Sequence, residues 1–341
     1  MADNAKGDEV KQESPPILVE TNEATIARMH RGATVVPDTP AILRIEGPGA
    51  VSCLQGLLTN DVDTPGPGSL VYGALLTPKG MIILDLWALR DAEGLTLVLP
   101  LDARTTALDL FRRTLPPRLA TCTDRSEAWS AAWLLGGRTG EALATAGFGP
   151  APTAGQAVIR TLDDTPLQVA GGTEPSWFRA VIVGPNEAVA SAVRNLSAAG
   201  AIEGDGDDSH LARVLAGWPA LGAEIGEKTL PQEVRFDEIG GVSYTKGCYT
   251  GQETVARVHF RGHPNRALRG LVWSGDGEWS GTAVRRGDKD VGQVTSVVVT
   301  NARRLGLAVI RREVEPDEAV AAGGLPAVVI ALPFPPDPQS A

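Results

Sequence analysis

The sequence is poor in cysteine, and its three cysteines, Cys53, Cys122 and Cys248, lie far apart. They form neither a C-x-x-C pair nor a disulfide framework, which favours a reducing compartment. The N-terminal residues 1–16 are polar and lack the apolar segment of a signal peptide. No apolar run approaches the roughly 20 residues that a membrane span needs. We therefore expect a cytoplasmic protein that does not associate with a membrane.

Several motifs of common enzyme classes are also absent. The sequence has no G-x-x-x-x-G-K-[ST] phosphate loop and no G-x-S-x-G nucleophile turn. Among its four histidines, His259 and His263 stand four positions apart, a spacing that suits a metal site on one helix face. Gly262 and Pro264 indicate that the helix has ended by then, so we predict no metal site.

Basic residues are outnumbered, because 31 Lys and Arg face 41 Asp and Glu, giving a formal net charge of −10. This balance argues against direct nucleic-acid binding, which depends on clustered positive charge. A local basic cluster nevertheless follows residue 256 and is either a small basic pocket or a solvated surface; it contains Arg257, His259, Arg261, His263, Arg266 and Arg269.

The length of 341 residues and a hydrophobic content of 43% predict two or three domains with proper cores. Strand-like runs at 70–76 and 81–89, joined by a short turn, predict a hairpin. Residues 125–200 alternate strand and helix patterns, which indicates a ferredoxin-like α+β layer. Beyond residue 262 only strand patterns remain, and we predict a small β-barrel there.

The most informative segment is 240–262, which places Cys248 between Gly247 and the next glycine, Gly251. Lys246 precedes it, and a predicted helix follows. A cation and a helix N-terminus both favour the thiolate form of a cysteine. The two glycines allow a sharp turn or a close backbone approach. Cys248 is therefore either a reactive thiol or, as is common for a lone cysteine, a small buried hydrophobe.

The flanking residues predict the local secondary structure of this segment. Thr250 and Glu253 have the spacing of a capping box, and Val255 and Val258 recur at helical spacing. Residues 242–244 read as a short strand. The pattern thus places the cysteine on a strand-to-helix loop, although a capping box by itself shows only that a helix begins.

Residues 246–253, KGCYTGQE, followed by Val255-Ala256-Arg257, resemble the signature of YgfZ-type folate-binding proteins. These are relatives of the aminomethyltransferase (T-protein) of the glycine cleavage system. Further segments resemble the family in the same order, so that the resemblance extends over about residues 38–310; they are 54–62, 78–85, 211–222, 231–233 and 292–296.

The resemblance implies an α+β fold of three domains in a ring, with ferredoxin-like layers, a C-terminal β-barrel and tetrahydrofolate in the central hole. A disordered tail at 1–20 and a C-terminal tail at 334–341 complete the expected division. The implied domains are a folate-binding α+β domain of residues 21–120 plus 205–261, a ferredoxin-like domain of 121–204 and a barrel of 262–333.

The resemblance also implies the site. Asp85 matches the hairpin aspartate that faces folate in the transferases, and it is otherwise a strand-end carboxylate. Arg213 pairs with a folate oxygen or is a solvated helix arginine. The other residues expected to border folate are Tyr249, Gln252, Glu253 and Arg257. Catalytic roles are expected for Cys248, Lys246 and Asp85.

The implied function is an accessory one: a folate-binding protein that supports assembly or repair of iron–sulfur clusters. Its partners would be iron–sulfur proteins, including tRNA-modifying enzymes, or the cluster assembly machinery. The alternative is a tetrahydrofolate-dependent aminomethyl or one-carbon transferase, against which Leu215 and Leu221 count, because the transferases carry Glu and Tyr there. A third possibility is a binding module without chemistry.

Overall fold

The computed structural model describes residues 15–274 and 277–335. In chain order the strands are β1 Ile17–Glu20, β2 Thr34–Asp38, β3 Ala41–Glu46, β4 Ser69–Leu76, β5 Ile82–Arg90, β6 Gly94–Leu99, β7 Thr121–Asp124, β8 Trp129–Leu135, β9 Ala157–Leu162, β10 Thr165–Gly171, β11 Ala180–Pro185, β12 Ile202–Glu203, β13 Arg266–Trp273, β14 Ala283–Arg286, β15 Lys289–Val299, β16 Arg304–Arg311, β17 Ala319–Ala322 and β18 Leu325–Ile330. The α-helices are α1 Glu23–Arg31, α2 Ala50–Gln55, α3 Arg104–Thr114, α4 Thr139–Thr145, α5 Asn186–Ala198, α6 Gly206–Ala216 and α7 Gln252–Arg261.

The first sheet has the order β4-β5-β6-β3-β7, and it contains the predicted hairpin as β4 and β5. Alternate residues of β4 point to opposite faces of the sheet. Val71 and Leu75 therefore pack into a core beneath α2 and α3, whereas Tyr72 and Ala74 face the centre of the molecule. Because both faces are covered, every residue of β4 is buried.

The second sheet has the order β12-β2-β8-β11-β10-β9, and α4 and α5 pack into a core on one of its faces. The predicted α+β alternation of 125–200 is confirmed, but two strands depart from the predicted domain bounds. Strand β2 pairs with β8 of this sheet, although residues 34–38 were assigned to the first domain. Strand β7 pairs with β3 of the first sheet, although residues 121–124 were assigned to the second.

The third sheet closes on itself, because β15-β14-β17-β18-β13-β16 is completed by pairing of β16 with β15. The predicted C-terminal barrel is thus confirmed. Strand β1 adds to β15 in parallel, so the predicted disordered tail extends too far at residues 17–20. Phe334 is buried and its N–H donates to the carbonyl of Leu215, so it is not part of a tail. Residues 1–14 and 336–341 of the two predicted tails lie outside the described residues.

Helix α6 lies where the three sheets meet and contacts β2, β15 and β16. It begins because the Asp205 side chain accepts hydrogen bonds from two backbone N–H groups, and it ends at Gly217, which is left-handed. Leu211, Val214 and Leu215 anchor it in the central core. None of the helices in the described residues is long and apolar enough to cross a membrane.

Candidate functional site

A cavity of about 340 Å³ opens between the first two sheets and α6. Its walls are largely apolar, and four tryptophans contribute to them: Trp87, Trp133, Trp177 and Trp218. Trp87 and Trp218 stack with their ring centroids 5.5 Å apart, and Trp133 packs against Trp177 at 4.9 Å. Flat conjugated ligands stack favourably on such rings.

Asp85 brings a carboxyl group into this apolar surface from β5. Its Oδ2 accepts a hydrogen bond from the Tyr72 hydroxyl at 2.9 Å, whereas Oδ1 is buried and has no hydrogen-bond partner among the described residues. Burial raises the pKa of Asp85 to about 6, although the Tyr72 hydrogen bond acts against this. A buried oxygen without a partner in a cavity wall indicates a place for a ligand donor.

Two more polar side chains without a complete set of partners enter the cavity from α6. Ser209 Oγ and His210 Nε2 are both buried and have no hydrogen-bond partner among the described residues. Burial lowers the pKa of His210 to about 4, and the positive charge of Arg213 acts in the same direction. His210 is therefore neutral at pH 7. Neither residue belongs to a sequence motif that would have predicted it.

Arg213 also reaches the cavity from α6, as expected, but its terminal nitrogens are committed within the protein. One nitrogen donates to Trp218 O and Glu224 Oε2, each at 2.8 Å. The other donates to Ser296 Oγ at 2.6 Å and lies 3.2 Å from His210 Nδ1. These four contacts use all four terminal N–H bonds. The guanidinium group thus shapes the cavity wall, and it is not a solvated helix arginine.

Glu224 balances this charge and was also missed. Its side chain is 0% exposed. Besides Arg213, it accepts hydrogen bonds from the N–H of Ala220 and from the hydroxyls of Thr295 and Ser296. The two hydroxyls belong to β15, so this carboxylate joins the barrel to the wall of the cavity.

The Cys248 loop differs from its prediction in three respects. Cys248 is exposed, so the interpretation of this cysteine as a buried hydrophobe is wrong. Helix α7 begins only at Gln252, with left-handed Gly251 as its cap and no capping hydrogen bond from a side chain, so the Thr250–Glu253 capping box is absent. Residues 242–244 form no strand. Ser243 instead donates its N–H to the carbonyl of Thr59.

Lys246 does not act as a free cation beside the thiol. Its buried ammonium donates to the carbonyls of Gln55, Leu58 and Asn60 at 2.6, 2.7 and 3.0 Å, at and beyond the end of α2. Burial lowers its pKa to about 8. The lysine therefore satisfies helix-end carbonyls and anchors the loop that carries Cys248.

The remaining predicted folate contacts lie away from the cavity. Tyr249 is buried beneath Lys246, whose Nζ is 5.1 Å from the ring centroid, and its N–H points to Gln252 Oε1 at 3.4 Å. Glu253 and Arg257 are exposed on α7. None of these four, nor Cys248 or Lys246, is among the described residues that line the cavity. The expectation that this loop borders the ligand is therefore not supported by the cavity's shape.

No group of three or more His, Cys, Asp or Glu side chains that suits a metal ion is present in residues 15–274 and 277–335. His259 instead stacks on Tyr244, with ring centroids 3.7 Å apart, and its Nδ1 lies 3.3 Å from Asp237 Oδ2.

Replacing Gly251 by alanine is expected to lower the free energy of unfolding by about 1–3 kcal/mol. Gly251 has a φ of 83°, and a Cβ there would lie 2.6 Å from the carbonyl oxygen of Thr77 in the β4–β5 turn. Gly247→Ala is the matched control, because its Cβ would meet nothing within 4 Å. Urea unfolding checks both variants, and equal effects would contradict the close approach of turn and loop.

Comparison with known proteins agrees with this architecture. Residues 30–148 match the model of the GCVT N-terminal domain. The fold is that of the glycine cleavage system aminomethyltransferase T from Bartonella henselae, with a TM-score of 0.77 at 17% identity over 92% of this chain and 89% of that one. The predicted fold class is thereby confirmed.

Closer relatives carry one shared name. The tRNA-modifying protein YgfZ of Enterobacter sp. (strain 638) is 30% identical over 241 residues, which are 68% of this chain and 69% of the relative. The protein of the same name from Escherichia coli O157:H7 (strain EC4115 / EHEC) is 30% identical over 240 residues, with the same coverage. On the strength of the GCVT domain, the aminomethyltransferase fold and these relatives, the chain belongs to the family of the tRNA-modifying protein YgfZ.

Proposed function

We propose that this protein binds a tetrahydrofolate in the tryptophan-lined cavity and supports the assembly or repair of iron–sulfur clusters in other proteins. The folate proposal rests on the buried Asp85 Oδ1, which has no hydrogen-bond partner among the described residues and belongs to a largely apolar wall with four tryptophans. The second half rests on family membership and on the exposed Cys248.

The cavity suits a pterin ring in shape and in polarity. A pterin is flat and conjugated, which favours stacking against tryptophan, and its edge carries N–H groups from which an unpartnered carboxylate oxygen can accept hydrogen bonds. Asp85 would hold that edge, and the tryptophans would hold the ring faces. When bound, the folate supplies a one-carbon carrier, while the residues of this chain bind and orient it.

The cluster-related role places the chemistry on a partner protein. The whole sequence has three cysteines, whereas a protein-bound iron–sulfur cluster is usually held by four cysteine thiolates. Cys248 is exposed beside the N-terminus of α7, so its thiol is accessible to a second protein without a change of fold. Partners that contain clusters, such as tRNA-modifying enzymes, fit the shared name of the relatives.

Replacing Cys248 by alanine is expected to leave folding and folate affinity unchanged and to abolish the cellular function. The residue is exposed and lies away from the cavity, so neither stability nor binding depends on it. Folate affinity is measured by titrating the purified protein with 5-formyltetrahydrofolate. Function is measured as activity of cluster-dependent enzymes in cells that lack the protein.

Cys53→Ala, which changes a half-buried cysteine on α2, is the matched control and is expected to restore enzyme activity. Full restoration by Cys248→Ala would remove the thiol from the proposal. Absence of folate binding by the unaltered protein at micromolar concentration would exclude folate as the ligand. The protein would then be interpreted as a binding module for another ligand.

A one-carbon transferase is the second candidate, and one observation favours it. Asp85 is a buried carboxyl group in the cavity, and in its ionised form it would stabilise positive charge that develops on a reacting nitrogen. Leu221 opposes this candidate, because it presents an apolar side chain to the same cavity. Incubation of the purified protein with tetrahydrofolate and an aminomethylated carrier protein tests it, and turnover at background level would exclude it.

A further inference from the structure

His210 is a polar residue of the cavity whose role the proposed function leaves open. It lies in the second turn of α6, three positions before Arg213 and therefore on the same helix face. Its imidazole lines the cavity, and its Nε2 is buried without a hydrogen-bond partner among the described residues. A buried ring nitrogen without a hydrogen-bond partner in the protein is available for a hydrogen bond to a ligand atom.

The neighbouring arginine decides which ring nitrogen of His210 carries the proton. Arg213 lies 3.2 Å from His210 Nδ1, and a guanidinium group has only donors to offer. Nδ1 must therefore accept this hydrogen bond. A neutral imidazole has a single N–H, so the proton resides on Nε2, the nitrogen that has no hydrogen-bond partner among the described residues.

The tautomer is held firmly because Arg213 itself cannot turn away. Its other three terminal N–H bonds go to Trp218 O, Glu224 and Ser296 Oγ. Burial and the adjacent positive charge keep His210 neutral by lowering its pKa to about 4. The cavity wall thus contains a fixed N–H donor on α6 and a free carboxylate acceptor on β5.

We propose that His210 is a specificity-determining residue, which donates its Nε2–H to an acceptor atom of the bound ligand while Asp85 Oδ1 accepts from a ligand donor. This inference rests on the proposed function, since the ligand it addresses is the folate of the cavity. It narrows the ligand class to flat heterocycles that present both an acceptor and a donor, and it disfavours apolar aromatic molecules of similar size.

Binding of 5-formyltetrahydrofolate to two variants tests the donor. His210→Phe keeps a ring but removes the N–H, and we expect its Kd to rise about tenfold, the effect of losing one buried hydrogen bond. His210→Gln retains an N–H donor and is expected to stay within about threefold of the unaltered protein. A Phe variant that binds as tightly as the unaltered protein would overturn the role of His210.

Nitrogen-15 NMR of the imidazole gives a second readout, which a merely structural role would not produce. In the ligand-free protein we expect the neutral tautomer protonated at Nε2, without titration between about pH 5.5 and 8, and a shift of this N–H signal on addition of 5-formyltetrahydrofolate. A tautomer protonated at Nδ1 would overturn the inference. Absence of binding by the unaltered protein would instead overturn the proposed function, so the two failures are distinguishable.

Discussion

Replacing Glu224 by glutamine is expected to lower the free energy of unfolding by about 3–5 kcal/mol, because it leaves the Arg213 charge buried without a counter-charge. The side chains of Glu224 and Arg213 are 0% and 10% exposed, so water cannot take the place of the lost carboxylate. Glutamine has almost the same volume, which keeps a packing defect from contributing. Equilibrium unfolding in urea at pH 7 measures the effect.

A surface ion pair supplies the matched control for this prediction. Arg138 and Glu141 approach to 2.7 Å, but both side chains are more than 60% exposed. Glu141→Gln is therefore expected to leave the unfolding midpoint unchanged. The double variant Arg213→Met/Glu224→Gln should lose less stability than the sum of the single variants, because no charge then remains buried. A Glu224→Gln protein as stable as the unaltered one would contradict this account.

Replacing Asp85 by asparagine is expected to stabilise the protein, in contrast to the Glu224 substitution. We expect it to raise the free energy of unfolding by about 3 kcal/mol at pH 7.5. Burial raises the pKa of Asp85 from the ordinary 3.8 to about 6 in the folded protein. The folded state therefore binds more protons than the unfolded chain between these two values, and stability falls as the pH rises through this window. Above about pH 6 the buried, ionised carboxylate destabilises the folded state by its full amount, which is about 1.4 kcal/mol for each unit of difference between the folded and the unfolded pKa.

The pH profile distinguishes this cause from a general packing effect. The stability difference between Asp85→Asn and the unaltered protein should vanish below about pH 4 and reach its plateau above about pH 6. His210 has a lowered pKa and makes stability rise with pH in an overlapping window, but it is present in both proteins and largely cancels in the difference. Tyr72→Phe removes the hydroxyl that donates to Asp85 and should destabilise the folded state. An asparagine variant less stable at pH 7.5 than the original would contradict the prediction.

Stability and ligand binding make opposite demands on Asp85. A carboxylate that destabilises the fold and has an oxygen without a partner is a group retained for binding rather than for folding. We therefore expect Asp85→Asn to gain stability and to lose affinity for 5-formyltetrahydrofolate at the same time.

Local patterns predicted those parts of the fold in which sequence neighbours pair. Apart from β17, the β4–β5 hairpin and the strands of the barrel follow from periodicity and turn residues alone. The pairing of β2 with β8 did not, since it joins residues about 95 positions apart and no local pattern encodes such a partner. Residues 242–244 have a strand-like composition, but they form no strand. Their backbone hydrogen bond, from Ser243 N–H to the carbonyl of Thr59, is not continued by further pairing of the two segments.

The candidate site was predicted only where the family resemblance supplied it. Asp85 and Arg213 line the cavity, and their roles toward folate stay predictions. The role of Lys246 was misjudged, because its carbonyl partners lie about 190 residues earlier and only the fold reveals them. His210 was missed because one histidine carries no motif. The tryptophans offered a usable signal, since seven of them beside three tyrosines is an unusual ratio for this chain.

The hydroxyl of Ser296 receives a hydrogen bond from Arg213 and gives one to Glu224, and it stands on a barrel strand. A ligand that fixes the His210 imidazole beside Arg213 is therefore expected to reduce motion between the barrel and α6 as well. A small molecule bound among the tryptophans would thus protect amide protons in β15, a strand that does not line the cavity, and would raise the unfolding temperature of the barrel together with that of the other two sheets.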